Sequence, residues 1–384
     1  VQPQVVQEHH VGAQFLFRSR DRGFTWERIS PDLTTNDPRK QKQEESGGIT
    51  VDNSAAEMHT TIYAISESPR RAGLLWVGTR AGGVSRWNPR SWSFGHQRPD
   101  WLKSTYVNAF AEDSAGRIWI GTLDGLTRFD PLSGEHVGID ALTGRTPSLA
   151  DARVMSLLMD RGGSLWIGTM SGGLSRLGAD GKLVTYRANP VDPKSLSADG
   201  VMSLHQDRSG RIWIGTFGGG VNILDLASGR IQRIPYDPRV AGSLSSPRAT
   251  SIVEDNSGQI WIGTDSGGLN LLWAEGNVVR IFRHDPRDPA GLSANTVYTL
   301  SVDNRGRVWV GTDGGGLDLV LGSSTDSASI RFQNISKENG LASDVIYGVL
   351  CDDAGLLWLS SNAGLMRYDP QSGRVKAFHR NQGL

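Results

Sequence analysis

The sequence predicts an all-β fold, a seven-bladed β-propeller of four-stranded antiparallel blades, and three observations carry that expectation. A tryptophan-centred phrase recurs seven times: LLWVGT at Trp76, RIWIGT at Trp119, SLWIGT at Trp166, RIWIGT at Trp213, QIWIGT at Trp261, RVWVGT at Trp309 and LLWLSS at Trp358. The recurrences lie 43 to 49 residues apart, a period at which stacked units such as propeller blades occur. Glycine is abundant, 48 of 384 residues, and no stretch holds a helical period of useful length.

Taken in order, residues 14–20 and 25–30 read as the last two strands of a blade, and residues 31–48 as a polar loop. Residues 1–58 are therefore expected to form a partial blade with a linker, and residues 59–384 the propeller. The pattern inside a unit is clearest in residues 296–322. Val297, Thr299 and Ser301 alternate with Tyr298, Leu300 and Val302. Asp303 to Gly306 break the run, and a β-branched and aromatic stretch follows from Val308 to Thr312. Gly314, Gly315 and Gly316 make the next turn, Leu317 to Leu321 a third strand, and Ile330 to Ile335 a fourth. Residues 59–380 hold seven such units, and the last carries its own outer strand at 375–378. Such a ring leaves short sheet edges exposed.

Trp76, Trp119, Trp166, Trp213, Trp261, Trp309 and Trp358 are expected to wedge between blades, each costing about 3–5 kcal/mol if cut to Ala. Cys351 reads as a small core residue. As the chain's one cysteine, it excludes an intrachain disulfide. Lys plus Arg equals Asp plus Glu at 40 each, so nothing in the overall charge attracts nucleic acid or an anionic membrane. No run of apolar residues is long enough to span a bilayer. The chain opens at Val1 without a leader pattern, which reads as processing or as a piece of a longer protein.

The repeat D-x-x-G-x-[IL]-W-I-G-T-x-x-G-G-[LV], as at residues 207–221 and 255–269, resembles the two-component regulator propeller repeat. The resemblance covers roughly residues 60–380 and implies a non-catalytic sensor region of a bacterial receptor, periplasmic or secreted. It implies a small-molecule or oligosaccharide ligand and a receptor homodimer. A second resemblance lies near the start, where Ser19, Asp21, Gly23, Thr25 and Trp26 match the Asp-box S-x-D-x-G-x-T-W of sialidases and sortilin-like propellers. In that hairpin Asp21 satisfies turn N–H groups and Trp26 packs beneath. It implies the alternative reading, a secreted glycosidase-like or protein-interaction propeller.

No catalytic set emerges. Asp113, Asp160, Asp207, Asp255, Asp303 and Asp352 recur at one position ahead of a glycine turn, which is turn chemistry. His9, His10 and His59 have no partners at metal-ligand spacing, and no metal or cofactor is expected. Phe217 to Gly220 is a turn between strands, because a phosphate loop needs a helix behind it. A ligand is expected on the face where the turn after W-x-G-T opens, since the framework there is constant and the tip varies. The tip residues are Arg80, Leu123 with Asp124, Met170, Phe217, Asp265, Asp313 and Asn362. Pro-stiffened loops beside them, including 189–194, add Arg239 and His284. Arg80, Phe217, Asp265 and Asp313 suit a sugar, the ring for stacking and the carboxylates for hydroxyl groups.

Overall fold

The computed structural model of the chain describes residues 9–12, 16–19, 27–28, 62–67, 75–79, 84–88, 93–97 and 101–378 apart from 145–147, 241 and 274. Each blade is a meander of four antiparallel strands in sequence order. In the Trp213 blade these are Val201–Gln206, Ile212–Thr216, Val221–Leu224 and Ile231–Ile234. The first strands of the other blades are Val107–Glu112, Val154–Met159, Ala249–Glu254, Val297–Val302 and Ile346–Cys351.

Six blades, rather than the seven expected, are described in their four strands and the turns between them, Ala274 apart. The remaining unit is the four-stranded sheet of Ile62–Glu67, Leu75–Thr79, Val84–Asn88 and Ser93–Gln97, whose turns lie outside the described residues. Trp358 and Phe378 pack against its Leu75 and Val77, and its Trp76 packs against Val107, Ile118 and Ile120. The sheet thus lies between the Trp358 and Trp119 blades. The outer strand of the Trp358 blade, Val375–Phe378, pairs with Gly364–Tyr368 of the same unit. Near the start, Leu16–Ser19 and Glu27–Arg28 pair as the sequence suggests, and a further strand, His9–Gly12, precedes them. Asp21, Trp26 and the remainder of the Asp-box after Ser19 lie outside the described residues.

The tryptophans sit on second strands that are buried at every position. Trp213 packs on Ala249, Ile252, Ile260 and Ile262 of the following blade, and Trp261 on Val297, Leu300, Val308 and Val310. Burying an indole strands its N–H unless an acceptor is supplied. In five blades the recurring aspartate supplies it: Trp166, Trp213, Trp261, Trp309 and Trp358 donate to Oδ2 of Asp160, Asp207, Asp255, Asp303 and Asp352 at 2.8–2.9 Å. The other oxygen accepts the turn N–H four residues on, as from Ser164 at 2.8 Å and Arg307 at 2.9 Å. In the Trp213 and Trp309 blades the same Oδ2 also takes Nε of Arg211 or Arg307, whereas in the Trp119 blade Oδ2 of Asp113 takes only Nε of Arg117, at 2.7 Å, and the Trp119 N–H has no partner among the described residues.

The glycine of W-x-G-T is fixed by the neighbouring blade. A Cβ on Gly121, Gly168 or Gly263 would lie 2.5–2.6 Å from Cγ1 of Val154, Val201 or Val297, the residue that opens the next first strand. Opposite each glycine stands a small residue: Ala109 faces Gly121, Ser156 Gly168, Ser203 Gly215, Ser251 Gly263 and Thr299 Gly311. The Trp358 blade inverts the pair, with Gly348 facing Ser360. This exchange keeps the combined volume and explains the divergent LWLSS.

Loops between blades are pinned by a second polar device. Ser197 and Ser245 each receive a side-chain hydrogen bond from, and donate a backbone one to, Asn222 and Asn270. In the Trp309 blade Asp318 holds this place, taking the N–H and hydroxyl of Ser293 at 2.9 and 2.7 Å and Nδ2 of Asn334 at 2.9 Å. Asp318 is fully buried, and burial pushes its carboxyl above the usual range despite these donors.

Two outcomes are expected. Gly168→Ala should lose about 1–3 kcal/mol by overpacking. Gly348→Ser alone should destabilise, because its Cβ would stand 2.8 Å from Oγ of Ser360, whereas Gly348→Ser with Ser360→Gly should recover most of the loss in a denaturant series. For Asp318 the folded carboxyl binds its proton more tightly than the unfolded one, so its contribution is present at acid pH and is lost as pH rises through the folded value. The Tm difference between Asp318→Asn and the parent should therefore shift in favour of the variant as pH rises from about 3 to about 7, and a difference that does not change with pH would show that Asp318 keeps its ordinary titration.

Candidate functional site

The first strands surround a central channel of about 320 Å³, lined by Ala64, Asn108, Met155, Ser203, Thr299 and Tyr347 among others. Each first strand carries a β-bulge after its opening residue, as between Val154 and Ser156 or Val297 and Thr299. The bulged residues are Tyr63, Asn108, Met155, Met202, Thr250, Tyr298 and Tyr347, at the end of the channel where the W-x-G-T tips open. Two of them bridge to the next blade: Asn108 Nδ2 donates to Val154 O at 2.8 Å and Thr250 Oγ1 to Val297 O at 2.5 Å. Tyr298 and Tyr347 instead stack on each other, with centroids 5.1 Å apart and planes tilted by 37°.

The tips are anchored on both sides. Phe217 N–H donates to Gly200 O within its own unit, while Gly218 and Gly220 donate to Pro247 O of the next. Asp313 donates to Thr296 O, while Gly314 and Gly316 donate to Asp344 O. Met170 donates to Arg153 O, and the adjoining Ser171 to Asp151, whose carboxyl is pushed up by burial but pulled net down to about 2 by bonds from Arg153 and Ser171. The platform is stiff, so ordering it on binding costs little.

The rim brings together Phe217, Asp265 and Asp313 with three residues that the sequence reading did not single out. Arg248 lies between two tips, its guanidinium 4.6 Å from the Phe217 ring centroid and its Nη1 2.9 Å from Asp265. Tyr347 lines the channel with Tyr298 stacked on it, and Asp313 sits beside both, its N–H on Thr296 O and its backbone paired with Val345. Their signal was faint, because a bulge cannot be read from alternation and Arg248 precedes its strand by one residue. The other expected residues lie elsewhere or are engaged locally. Asp124 lines a separate crevice of about 250 Å³ with Lys103 and Asp140, and Asn362 accepts from Ser343 at 2.6 Å. Arg239 pairs with Asp237 in its own turn at 2.9 Å, and His284 ties its loop through Asn295 and Leu292 O. Arg80 lies outside the described residues. Among the described residues no group of His, Cys, Asp and Glu is arranged to hold a metal ion, and no helix is long and apolar enough to cross a membrane.

Five segments, residues 102–124, 148–171, 195–218, 243–266 and 291–314, match the family described as two component regulator propeller. Each segment runs from the loop between blades through the first two strands to the tip. No curated protein matches the sequence. Among solved structures, the chain is similar to a streptogramin B lyase at 14% identity, over 81% of this chain and 93% of that one, with a TM-score of 0.60. It is also similar to virginiamycin B lyase from Staphylococcus aureus at 16% identity, over 83% and 96%, with a TM-score of 0.60. At these identities the likeness is one of fold. An extracellular domain assigned to a hybrid two component system of B. thetaiotaomicron aligns at 17% identity over 84% of this chain, with a TM-score of 0.39, and the chain spans 57% of it.

The rim's electrostatics have a direct readout. Burial raises the Tyr298 hydroxyl well above the usual tyrosine range, and the charge of Asp313 adds to it, followed by that of Asp265. Spectrophotometric titration should show one tyrosine that ionises later than the rest and is missing in Tyr298→Phe. In Asp313→Asn the same tyrosine should ionise at lower pH; an unmoved titration would mean that the two side chains do not interact.

Proposed function

From a chain built of two component regulator propeller repeats, we propose a non-enzymatic sensing propeller that binds an extracellular small molecule or glycan at the mouth of its channel. The observation that carries this reading is the rim itself, where Phe217, Asp265 and Asp313, on tips fixed by backbone bonds, meet Arg248, Tyr298 and Tyr347 at the start of first strands. A ring stacked under a guanidinium, tyrosines and carboxylates are groups that recognise a polyhydroxylated or charged solute. The repeated elements meanwhile hold the frame: the tryptophans, their aspartates and the seam glycines.

On this reading residues 59–384 form the sensor unit, the six blades joined by the sheet that carries Trp76, and residues 1–58 supply a partial blade and linker. The output belongs to another module, reached through a change in how two receptor chains pair. An extracytoplasmic location, periplasmic or secreted, follows from the same reading. The likeness to lyases is one of fold and brings no catalytic residues with it.

Thermal unfolding against a panel of neutral and charged oligosaccharides and small solutes should find at least one that raises Tm by several degrees. Phe217→Ala and Asp313→Ala should each abolish that rise while leaving the unliganded Tm within about 2 °C, because both side chains are exposed. An undiminished rise in both variants would remove the site from the rim. Turnover of any glycoside by the purified chain would end the non-enzymatic reading.

A further inference from the structure

Between the Trp119 and Trp166 blades, at the end opposite the W-x-G-T tips, lies a crevice of about 260 Å³. Asp113, Arg117, Trp119 and Arg128 line it, and Leu142, Met159, Leu165 and Leu177 give it an apolar wall. Of the tryptophan units this alone has arginine both two residues before the tryptophan, at Arg117, and across the ladder from it, at Arg128. Elsewhere such arginines are bound within their blade: Arg211 and Arg307 pair with their aspartates, and Arg176 donates to Ser164. Here Arg117 takes the carboxylate of Asp113 at 2.7 Å. The guanidinium of Arg128 is half-buried, 5.7 Å from the Trp119 ring centroid, and makes no ion pair or hydrogen bond among the described residues. Asp130 and Glu135 lie near enough to act on its charge without bonding to it. The lining thus holds two cations against one carboxylate. A second observation comes from the indole of Trp119. It is 5% exposed, and its N–H has no partner, although its unit keeps the aspartate to which five other indoles donate. Trp76, whose N–H is in the same condition, has Arg70 in the place of that aspartate. A buried donor left without an acceptor is costly, so an acceptor is what this wall lacks.

We propose that this crevice is a ligand site of its own, separate from the rim, which binds the carboxylate of a small apolar organic acid between Arg128 and the Trp119 N–H, its tail against the apolar wall. A guanidinium presents a planar fork that matches a carboxylate, and a half-buried one gains more from the pairing than one in open water. The indole N–H adds a donor in the direction where the other blades place a carboxylate oxygen. Inorganic phosphate would satisfy the cation but leave the apolar wall wet, and a neutral molecule would leave Arg128 without an anion. The volume, below the usual range for drug-sized ligands, suits a small acid.

The test is calorimetric titration of the purified chain with sodium benzoate, with benzyl alcohol as the neutral probe of similar shape and inorganic phosphate as the anion without an apolar face. Saturable binding of benzoate is expected, weakened about tenfold in Arg128→Gln and less in Arg128→Lys, which keeps the charge without the fork. The indole N–H resonance of Trp119, identified by its absence in Trp119→Phe, should move with the same concentration dependence. Phe217→Ala and Asp313→Ala should bind benzoate as the parent does, so that failure here and failure at the rim are read separately. The inference is overturned by equal affinity for benzyl alcohol or phosphate, by unchanged affinity in Arg128→Gln, or by loss of binding in the rim variants. A Trp119 resonance that stays in place at saturation, or no saturation up to ~0.1 M, would overturn it as well.

Discussion

The ring depends on the contact between the bare backbone of one W-x-G-T strand and the β-branched residue that opens the next first strand. Val154, Val201 and Val297 approach so closely that a single methyl on Gly121, Gly168 or Gly263 would collide with them. Such an approach lets each tryptophan reach the following blade, as Trp213 does to Ala249 and Ile262. It also sets the small residue on the facing strand, since Ser156 and Ser203 crowd the same glycine from the other side. Phrase, glycine and small partner are one packing unit seen from three strands.

Much of this was legible in the chain. Seven recurrences of the tryptophan phrase announced the blade, and alternation followed by β-branched runs placed its strands, because both follow from burial on a sheet. The aspartates were readable as turn residues, but their second oxygen was not. That Asp207 would accept the Trp213 N–H depends on the turn folding back over the indole, a geometry that spacing alone does not state. The tips Phe217, Asp265 and Asp313 were found because they vary within a constant frame. Tyr298, Tyr347 and Arg248 were missed because bulges shift register by one residue, and a residue before a strand looks like loop in any one-dimensional reading. Arg239 and His284 looked available in sequence, yet Asp237 and the loop carbonyl of Leu292 occupy them.

Buried polar groups give the ring much of its order. The asparagines that pin the loops at Ser197 and Ser245 do so without charge, whereas Asp318 carries a carboxylate into a fully buried site and relies on Ser293 and Asn334 to hold it. The Trp119 blade shows the converse, since Oδ2 of Asp113 holds Arg117 alone, while Oδ2 of Asp207 and Asp303 holds both the arginine and the indole. Each departure changes the partners of one buried group while leaving the meander intact, because the backbone ladder is formed regardless of which side chain completes the turn.

Departures from a repeat fall into two kinds, and the distinction locates function more sharply than variability does. Where glycine is lost at Ser360, glycine appears opposite at Gly348, so the volume of the seam is kept and the change is silent outside it. At the bulge position where Asn108 and Thr250 stitch to the next blade, Tyr298 stacks on Tyr347. The rings pack on each other at the channel mouth, beside the exposed Asp313 of the tip, whose N–H is held by Thr296 O. A compensated departure answers to packing, while an uncompensated one adds chemistry at a fixed place on a stiff platform. Tyr298 is of the second kind, with the exposed Asp313 beside it on the tip. The ring's regularity is what makes that asymmetry a site rather than a defect.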